Sequence, residues 1–370
     1  MKCPKCSLEV PAPAVQCPFC GADLAVPARV TPAARRGRLR EHLGAYGFLL
    51  PNIVGFLAFT LLPVFAALAL SFFDWDVIQP FFPPGQPGAG GKVQAVLHDR
   101  TGDHARFVGL DNYGEFLGWE RDERTGRLQP RDEYFWKYMY NTVYLLAGIP
   151  IGMVLSLLLA LLMNQKLKGI VVYRAIYFLP CICVPAAVAL LWMWLLDQDY
   201  GLLNSLIVRA AGLLGLKVEH APAWLASPEW AKPALILVGL WVGIGGYNCI
   251  LYLAGLQGIP AELYEAAEID GAGWWQKLRH ITWPMLSPTT FFIFVMSIIG
   301  GFQGGFTFIH MMTQGGPAGS TTTIIYYIYQ HAFQWFKMGR ACALSMILFV
   351  IIFAITLINW RYGRRAVHYQ

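Results

Sequence analysis

Six stretches of this chain hold no Asp, Glu, Lys or Arg: residues 46–73, 140–165, 175–196, 233–261, 281–336 and 341–360. A helix needs about 20 mainly apolar residues to cross the hydrocarbon core of a bilayer, and every run is long enough. The 281–336 run is too long for one crossing and places a span near 287–312. The pattern therefore predicts an all-α polytopic membrane protein with six transmembrane helices. A soluble reading would need several core helices longer than 20 residues, against a mean of about 11–12. Composition agrees: 56% of residues are hydrophobic and 14% charged, where soluble domains carry about 25% charged.

Lys and Arg in the short loops set the orientation. Arg29, Arg35, Arg36, Arg38 and Arg40 precede the first run, and Lys166, Lys168 and Arg174 separate the second from the third. Lys277 and Arg279 fall between the fourth and fifth spans, and Arg361, Arg364 and Arg365 follow the last. These share one side if both termini are cytoplasmic in the cell (inner or plasma) membrane. The opposite short loops hold fewer, Arg209, Lys217, Lys232 and Lys337. The net charge of +6 then reports topology, and no nucleic-acid partner is implied. We expect no cleaved export signal, because the first apolar run begins after about 45 residues and is too long for a signal h-region.

Residues 1–25 contain two C-x-x-C pairs, Cys3/Cys6 and Cys17/Cys20. Two such knuckles supply the four thiolates of a tetrahedral zinc site. So short a segment cannot bury a core that folds it alone, whereas metal binding supplies that free energy. We therefore expect a structural zinc ribbon, a docking or regulatory module rather than a catalytic one. It is joined by a basic Pro/Ala/Arg linker, 26–45, to a transmembrane domain at 46–365. Cys181, Cys183, Cys249 and Cys342 lie singly in apolar runs and read as packing residues.

The 74–138 loop, external in this topology, opens with a Pro/Gly-rich stretch. It then carries two Arg-Thr-Gly centres, at 100–102 and 124–126, flanked as β-hairpin turns would be. Polar groups within spans usually face the protein interior or a water-filled path. Tyr247, Asn248, Phe302, Gln303 and Phe306 are accordingly the candidates for a solute path, amide groups and aromatic faces being what sugars commonly meet. Gly300, Gly301, Gly304 and Gly305 also form overlapping G-x-x-x-G pairs, a helix-packing device. His310 and His331 read as structural hydrogen-bonders.

Between the fourth and fifth spans lies a charged, helix-friendly segment, 258–285, which contains IPAELYEAAEIDGAGWWQKLRHITWP. Pro260 suits a helix start, Glu262 and Glu265 favour its positive end, and Gly271 and Gly273 suit a stop and reversal. Glu265-Ala266-Ala267, three residues, Gly271, nine residues, Ile281, one residue, Trp283 and Pro284 resemble the EAA signature of binding-protein-dependent ABC importer permeases. The family pattern ends Ile-x-Leu-Pro, so Trp283 departs from it. The stretches FVGLDNY, YLAGLQGIP and TQGGPAGSTTTIIYYIYQHAF resemble the carbohydrate-type branch, the relatives of maltose and glycerol-3-phosphate permeases.

The resemblance implies the six-helix fold of that family and a role for 258–285 as the coupling loop. Glu265, Ala266, Ala267 and Gly271 would then contact ABC ATPase subunits. It also implies a second permease subunit, giving a heterodimer, and an extracytoplasmic solute-binding protein. The solute would be a sugar or related polyol. The chain has no G-x-x-x-x-G-K-[ST] phosphate loop and neither H-E-x-x-H nor G-x-S-x-G. It reads as a conduit and not an enzyme, with ATP used only by a partner. Two alternatives remain at this point. A secondary transporter is disfavoured by the charge-free runs, and a zinc-ribbon membrane sensor would read a cytoplasmic signal.

Overall fold

The computed structural model describes residues 46–77, 105–122, 126–165, 168–215 and 221–363, with 9, 19, 20 and 44 besides. The chain divides into two compact units, Met1–Ala66 and Ala67–Gln370. Cys3, Cys6 and Cys17 lie outside the described residues, as does the first Arg-Thr-Gly centre.

Five helices are long and apolar enough to cross a membrane: Tyr46–Leu70 (α1), Glu133–Met163 (α3), Pro228–Gln257 (α7), Ser287–Thr313 (α10) and Met338–Arg361 (α12). The remaining run corrects the reading of 175–196 as one straight span. It forms Ile170–Ile182 (α4) and Pro185–Leu195 (α5), which meet at 96°. Pro185 dictates the break. A residue before proline is pushed out of the helical region, and Val184 is extended at φ −60°, ψ 127°. The run is thus a sharply bent pair of helices that together are apolar and long enough for one crossing. The second unit also contains the short helices Asp111–Leu117 (α2), Leu202–Leu213 (α6), Ala261–Ile269 (α8) and Ile324–Tyr329 (α11), and a helical stretch over 274–285 (α9).

Large apolar side chains face outward along the spans, among them Val171 at 73% and Ile182 at 65% exposed. Water would not tolerate that surface on so many helices, whereas lipid is its natural solvent. Between helices, small residues permit close approach. Gly245, in a break of α7, packs against the Tyr177 carbonyl of α4 so tightly that a Cβ there would collide with it. Met153, Ala160, Cys249, Tyr252, Leu286 and Ile293 form the buried seam where α3, α7 and α10 meet.

At the loop end, two short antiparallel pairs form, Phe73–Asp74 with Arg106–Phe107 and Trp119–Arg121 with Leu128–Pro130. Asn112, in the FVGLDNY stretch, donates through Nδ2 to the carbonyls of Ser71 (2.9 Å) and Phe73 (3.0 Å), fixing α2 against the 71–73 backbone. Asp132 caps α3 by accepting from the Tyr134 and Phe135 amides at 2.8 and 3.2 Å. Its other oxygen accepts from the Tyr327 hydroxyl at 2.9 Å, which ties α3 to α11.

The segment from Gly315 to Thr323 is non-helical yet buried at Ser320, Thr321, Thr322 and Thr323. Its backbone is caught by one side chain. Asn141, 1% exposed, donates to the carbonyls of Gly319 (3.0 Å) and Thr322 (2.9 Å) and accepts from Lys232 Nζ (3.0 Å). Thr142 accepts from the Ile324 amide at 3.0 Å. An Asn141→Leu variant keeps the volume but strands two carbonyls, at roughly 1–3 kcal/mol for each buried group left unpaired. We expect a lower melting temperature and earlier proteolysis within 314–323; an unchanged melt would show that Asn141 is not the clasp.

Candidate functional site

Two of the long helices are interrupted in mid-course. α7 breaks at Gly245–Gly246, between helical stretches Pro228–Ile244 and Tyr247–Gln257. α10 breaks at Gly304–Gly305, where Gly305 adopts φ +80°. Broken backbone at membrane depth is tolerated where it is buried in protein or lines a cavity. A cavity of about 340 Å³ lies between α3, α7 and α10. Eight glycines line it, including Gly239 and Gly243 of α7 and Gly300, Gly301, Gly304 and Gly305 of α10. Its volume sits at the small end of the range of about 300–1,000 Å³ for ligand sites. The lining is mostly apolar, with polar groups only at Thr142, Asn248, Ser297 and Thr323. Asn248 Nδ2 lies 3.4 Å from Ser297 Oγ, a long hydrogen bond that bridges α7 and α10.

The structure does not gather the five sequence-derived path residues in one place. Asn248 lines this cavity. Gln303 lines a different one, of about 360 Å³, against Leu348, Ile352 and Thr356 of α12. Phe302 is 3% exposed and packs in a core with Phe116, Phe135 and Leu344. Tyr247 is 60% exposed and does not line this cavity. Phe306 stacks on the His310 ring at 5.4 Å and meets Tyr326 and Tyr329.

The 258–285 segment forms two helices at a sharp reversal. Pro260 stands just before α8. Gly271, at φ +76°, follows its last turn, and the Ala272 amide reaches back to the Ala267 carbonyl (2.8 Å) while the Gly271 amide reaches that of Glu268 (3.0 Å). That is the paired closure of a Schellman motif, whose left-handed residue costs a β-carbon roughly 1–2 kcal/mol. Two ties brace the elbow: Lys277 Nζ to Glu268 at 2.7 Å, and Tyr264 OH to Thr282 Oγ1 at 2.9 Å. Glu265, Ala266 and Gly271 are exposed and Ala267 is half-buried. Leu263, Ile269, Trp274 and Trp275 are exposed beside them.

A family model described as "Binding-protein-dependent transport system inner membrane component" matches residues 148–365. The chain belongs to that family. This inner membrane component is 33% identical over 335 residues to the Bacillus subtilis (strain 168) protein named "Probable ABC transporter permease protein YesP", covering 90% of this chain and 94% of that one. It is 34% identical to the sn-glycerol-3-phosphate transport system permease protein UgpA of Yersinia pestis bv. Antiqua (strain Antiqua), covering 74% and 85%. It shares the fold of a bacterial ABC transporter involved in import of the acidic polysaccharide alginate. The match has a TM-score of 0.65 at 24% identity and covers 89% of this chain and 98% of that one.

His331, outside the spans, departs from its reading as a structural hydrogen-bonder. It is 4% exposed, and neither ring nitrogen meets a partner among the described residues. Phe116, Tyr327 and Trp335 meet its ring edge-on at 5.6, 4.5 and 4.7 Å. Burial, reinforced by the charges of Arg340 and Lys337, holds its pKa down to about 3 from an ordinary 6.5. Burial pushes the Tyr327 hydroxyl upward, and Asp132 adds to that. Between those two pH values the unfolded chain takes up a proton at His331 that the folded protein refuses. The stability contribution is therefore intact above pH 6.5 and is lost as pH falls toward 3, at up to ~1.4 kcal/mol per pH unit. Melts of wild type and His331→Phe across pH 7 to 4 should diverge, the variant losing less; parallel curves would refute the assignment.

Proposed function

We propose that this chain is one membrane-spanning subunit of an ATP-driven, binding-protein-dependent importer for a sugar or related polyol. ATP is hydrolysed by a partner, and the family is a transport component, not an enzyme. The observation that carries the coupling role is the braced elbow at 258–285. It offers Glu265, Ala266 and Gly271 to a neighbour and runs through α9 into the base of α10. Ala266 and Ala267 permit close approach of an ATPase surface, and Glu265 supplies a carboxylate for a basic group there. The relatives named for glycerol 3-phosphate and alginate support a carbohydrate-like solute. An extracytoplasmic binding protein would deliver it, and a second permease would complete the passage. Both termini would be cytoplasmic, which places 74–138 outside. The apolar spans support this reading over a secondary transporter, and no observation favours a membrane sensor.

Within this reading Asn248, at the glycine-lined cavity between two broken helices, is the best-placed solute contact. Glu265→Lys and Gly271→Val should each weaken ATPase association by about tenfold or more, that is about 1.4 kcal/mol, in co-purification from membranes. Asn248→Leu should keep that association and lose ATP-driven uptake. Full association and uptake in both elbow variants would sink the coupling role, and normal uptake in Asn248→Leu would remove Asn248 from the path.

For residues 1–25 we propose a structural zinc held by Cys3, Cys6, Cys17 and Cys20. Among the described residues no group of metal-ligating side chains forms another site. Metal analysis of the full-length protein should find about one zinc per chain, abolished in a Cys3→Ser/Cys6→Ser variant. A zinc content indifferent to that change would count against the ribbon.

A further inference from the structure

Between α5 and α7 the chain forms a helix that is apolar yet too short to cross a bilayer, Leu202–Leu213 (α6). Its 12 residues rise about 18 Å, against about 30 Å of hydrocarbon core. One side of α6 is fixed against the protein. Asn204, 4% exposed, donates to the carbonyls of Gln198 (3.1 Å) and Pro222 (3.2 Å) and accepts from the Trp224 indole at 2.8 Å. Leu203 packs against the core of Val188, Trp192 and Val238. The opposite side has no cover.

Leu202, Leu206 and Leu213 fall within about 40° of one another on that open side, at 100° per residue. All three are exposed, Leu213 at 89%. Arg209 and Ser205 follow along one edge of the stripe, and the helix holds no Asp or Glu. Among the described residues Arg209 has no ion-pair partner. A leucine stripe edged by an uncommitted cation suits a helix lying in a bilayer interface. Its leucines enter the acyl chains while the guanidinium snorkels to phosphate.

The flanking residues put α6 at that depth. It follows α5, where Leu190, Leu191 and Trp194 share one exposed, lipid-facing side. Tyr200, 85% exposed, stands two residues before α6, and Trp230 is partly exposed in the first turn of α7. Trp and Tyr collect at the headgroup level of membranes. Lys232, in the next turn of α7, meets Asn141 near the start of α3 at 3.0 Å. The segment that leads into α7 therefore lies at the same end of the spans as the 74–138 loop.

We propose that α6 is a membrane-surface anchor, embedded in the leaflet at that end, with Leu202, Leu206 and Leu213 among acyl chains and Arg209 on lipid phosphate. Lipid suits this face better than a partner protein does. The stripe carries on the lipid-facing side of α5, and its one charge matches the phosphate layer. Asn204 ties the anchor to the turns at Gln198 and Pro222, so lipid contact holds the ends of α5 and α7 at the bilayer surface. The inference goes beyond the importer reading and depends on neither the solute nor the elbow.

The test places the photocrosslinker p-benzoylphenylalanine at one position at a time in the full-length protein, in cell membranes where partner subunits are present. After ultraviolet irradiation and mass spectrometry, the probe at Leu206 and the probe at Leu213 should each carry a phospholipid adduct. Both positions are exposed, so the probe displaces no packed side chain. The probe at Leu128, exposed in the loop strands, should carry several-fold less. Arg209→Glu should lower the lipid adduct at Leu213 several-fold, and Arg209→Lys should keep it. A protein crosslink in place of lipid at either α6 position, absence of any adduct at either, or an equal lipid yield at Leu128 overturns the anchor. A lipid adduct at Leu213 indifferent to Arg209→Glu overturns the phosphate contact. None of these outcomes touches the importer reading, which stands or falls on the elbow.

Discussion

Water is scarce in the hydrocarbon core of a bilayer, so each peptide group there must find its partner within the protein. That single demand explains why the spans are helices and where they can stop being helices. Three departures from helix in the second unit lie against other parts of the protein. The α7 break lies under the Tyr177 carbonyl, and the α10 break opens onto a protein-lined cavity. The irregular stretch after α10 is held by Asn141 and Thr142. Lys232 completes this arrangement by donating to the Asn141 carbonyl oxygen and standing 5.0 Å from the Tyr140 and Tyr144 rings. The cation thereby polarises the amide that clasps the chain.

The spans were legible because their signal is crude and long-range. A charge-free run of 20 residues needs no knowledge of neighbours. Boundaries at 287–312 against Ser287–Thr313 differ by one residue. The 96° bend was missed, although Pro180 and Pro185 lie in plain view. A proline marks where a helix is free to turn, and only packing decides how far.

The path residues show the same limit more sharply. At about 100° of rotation per residue, Gln303 lies some 200° around the helix from Gly301. Yet Gln303 is only about 60° from Gly300, so rotation alone leaves its neighbour open, and packing turns it to α12. The place of Asn248 on the glycine-lined cavity was legible because its polarity and its face agree. Asn141 and His331 were not, because what each does is decided by segments far off in the chain: Gly319 and Thr322 for one, Phe116 and Tyr327 for the other. The elbow was read from local spacing, and its Schellman closure at Gly271 is a local structure.

The two ties across that elbow carry a mechanical meaning. Glu268–Lys277 and Tyr264–Thr282 both span the reversal. With the left-handed turn at Gly271 already fixed, the pair opposes flexing of α8 against α9. A truss of this kind does not absorb load by bending. A thrust on its outer rod would reach the root of α10 as displacement, some twenty residues short of the place where that helix itself is broken.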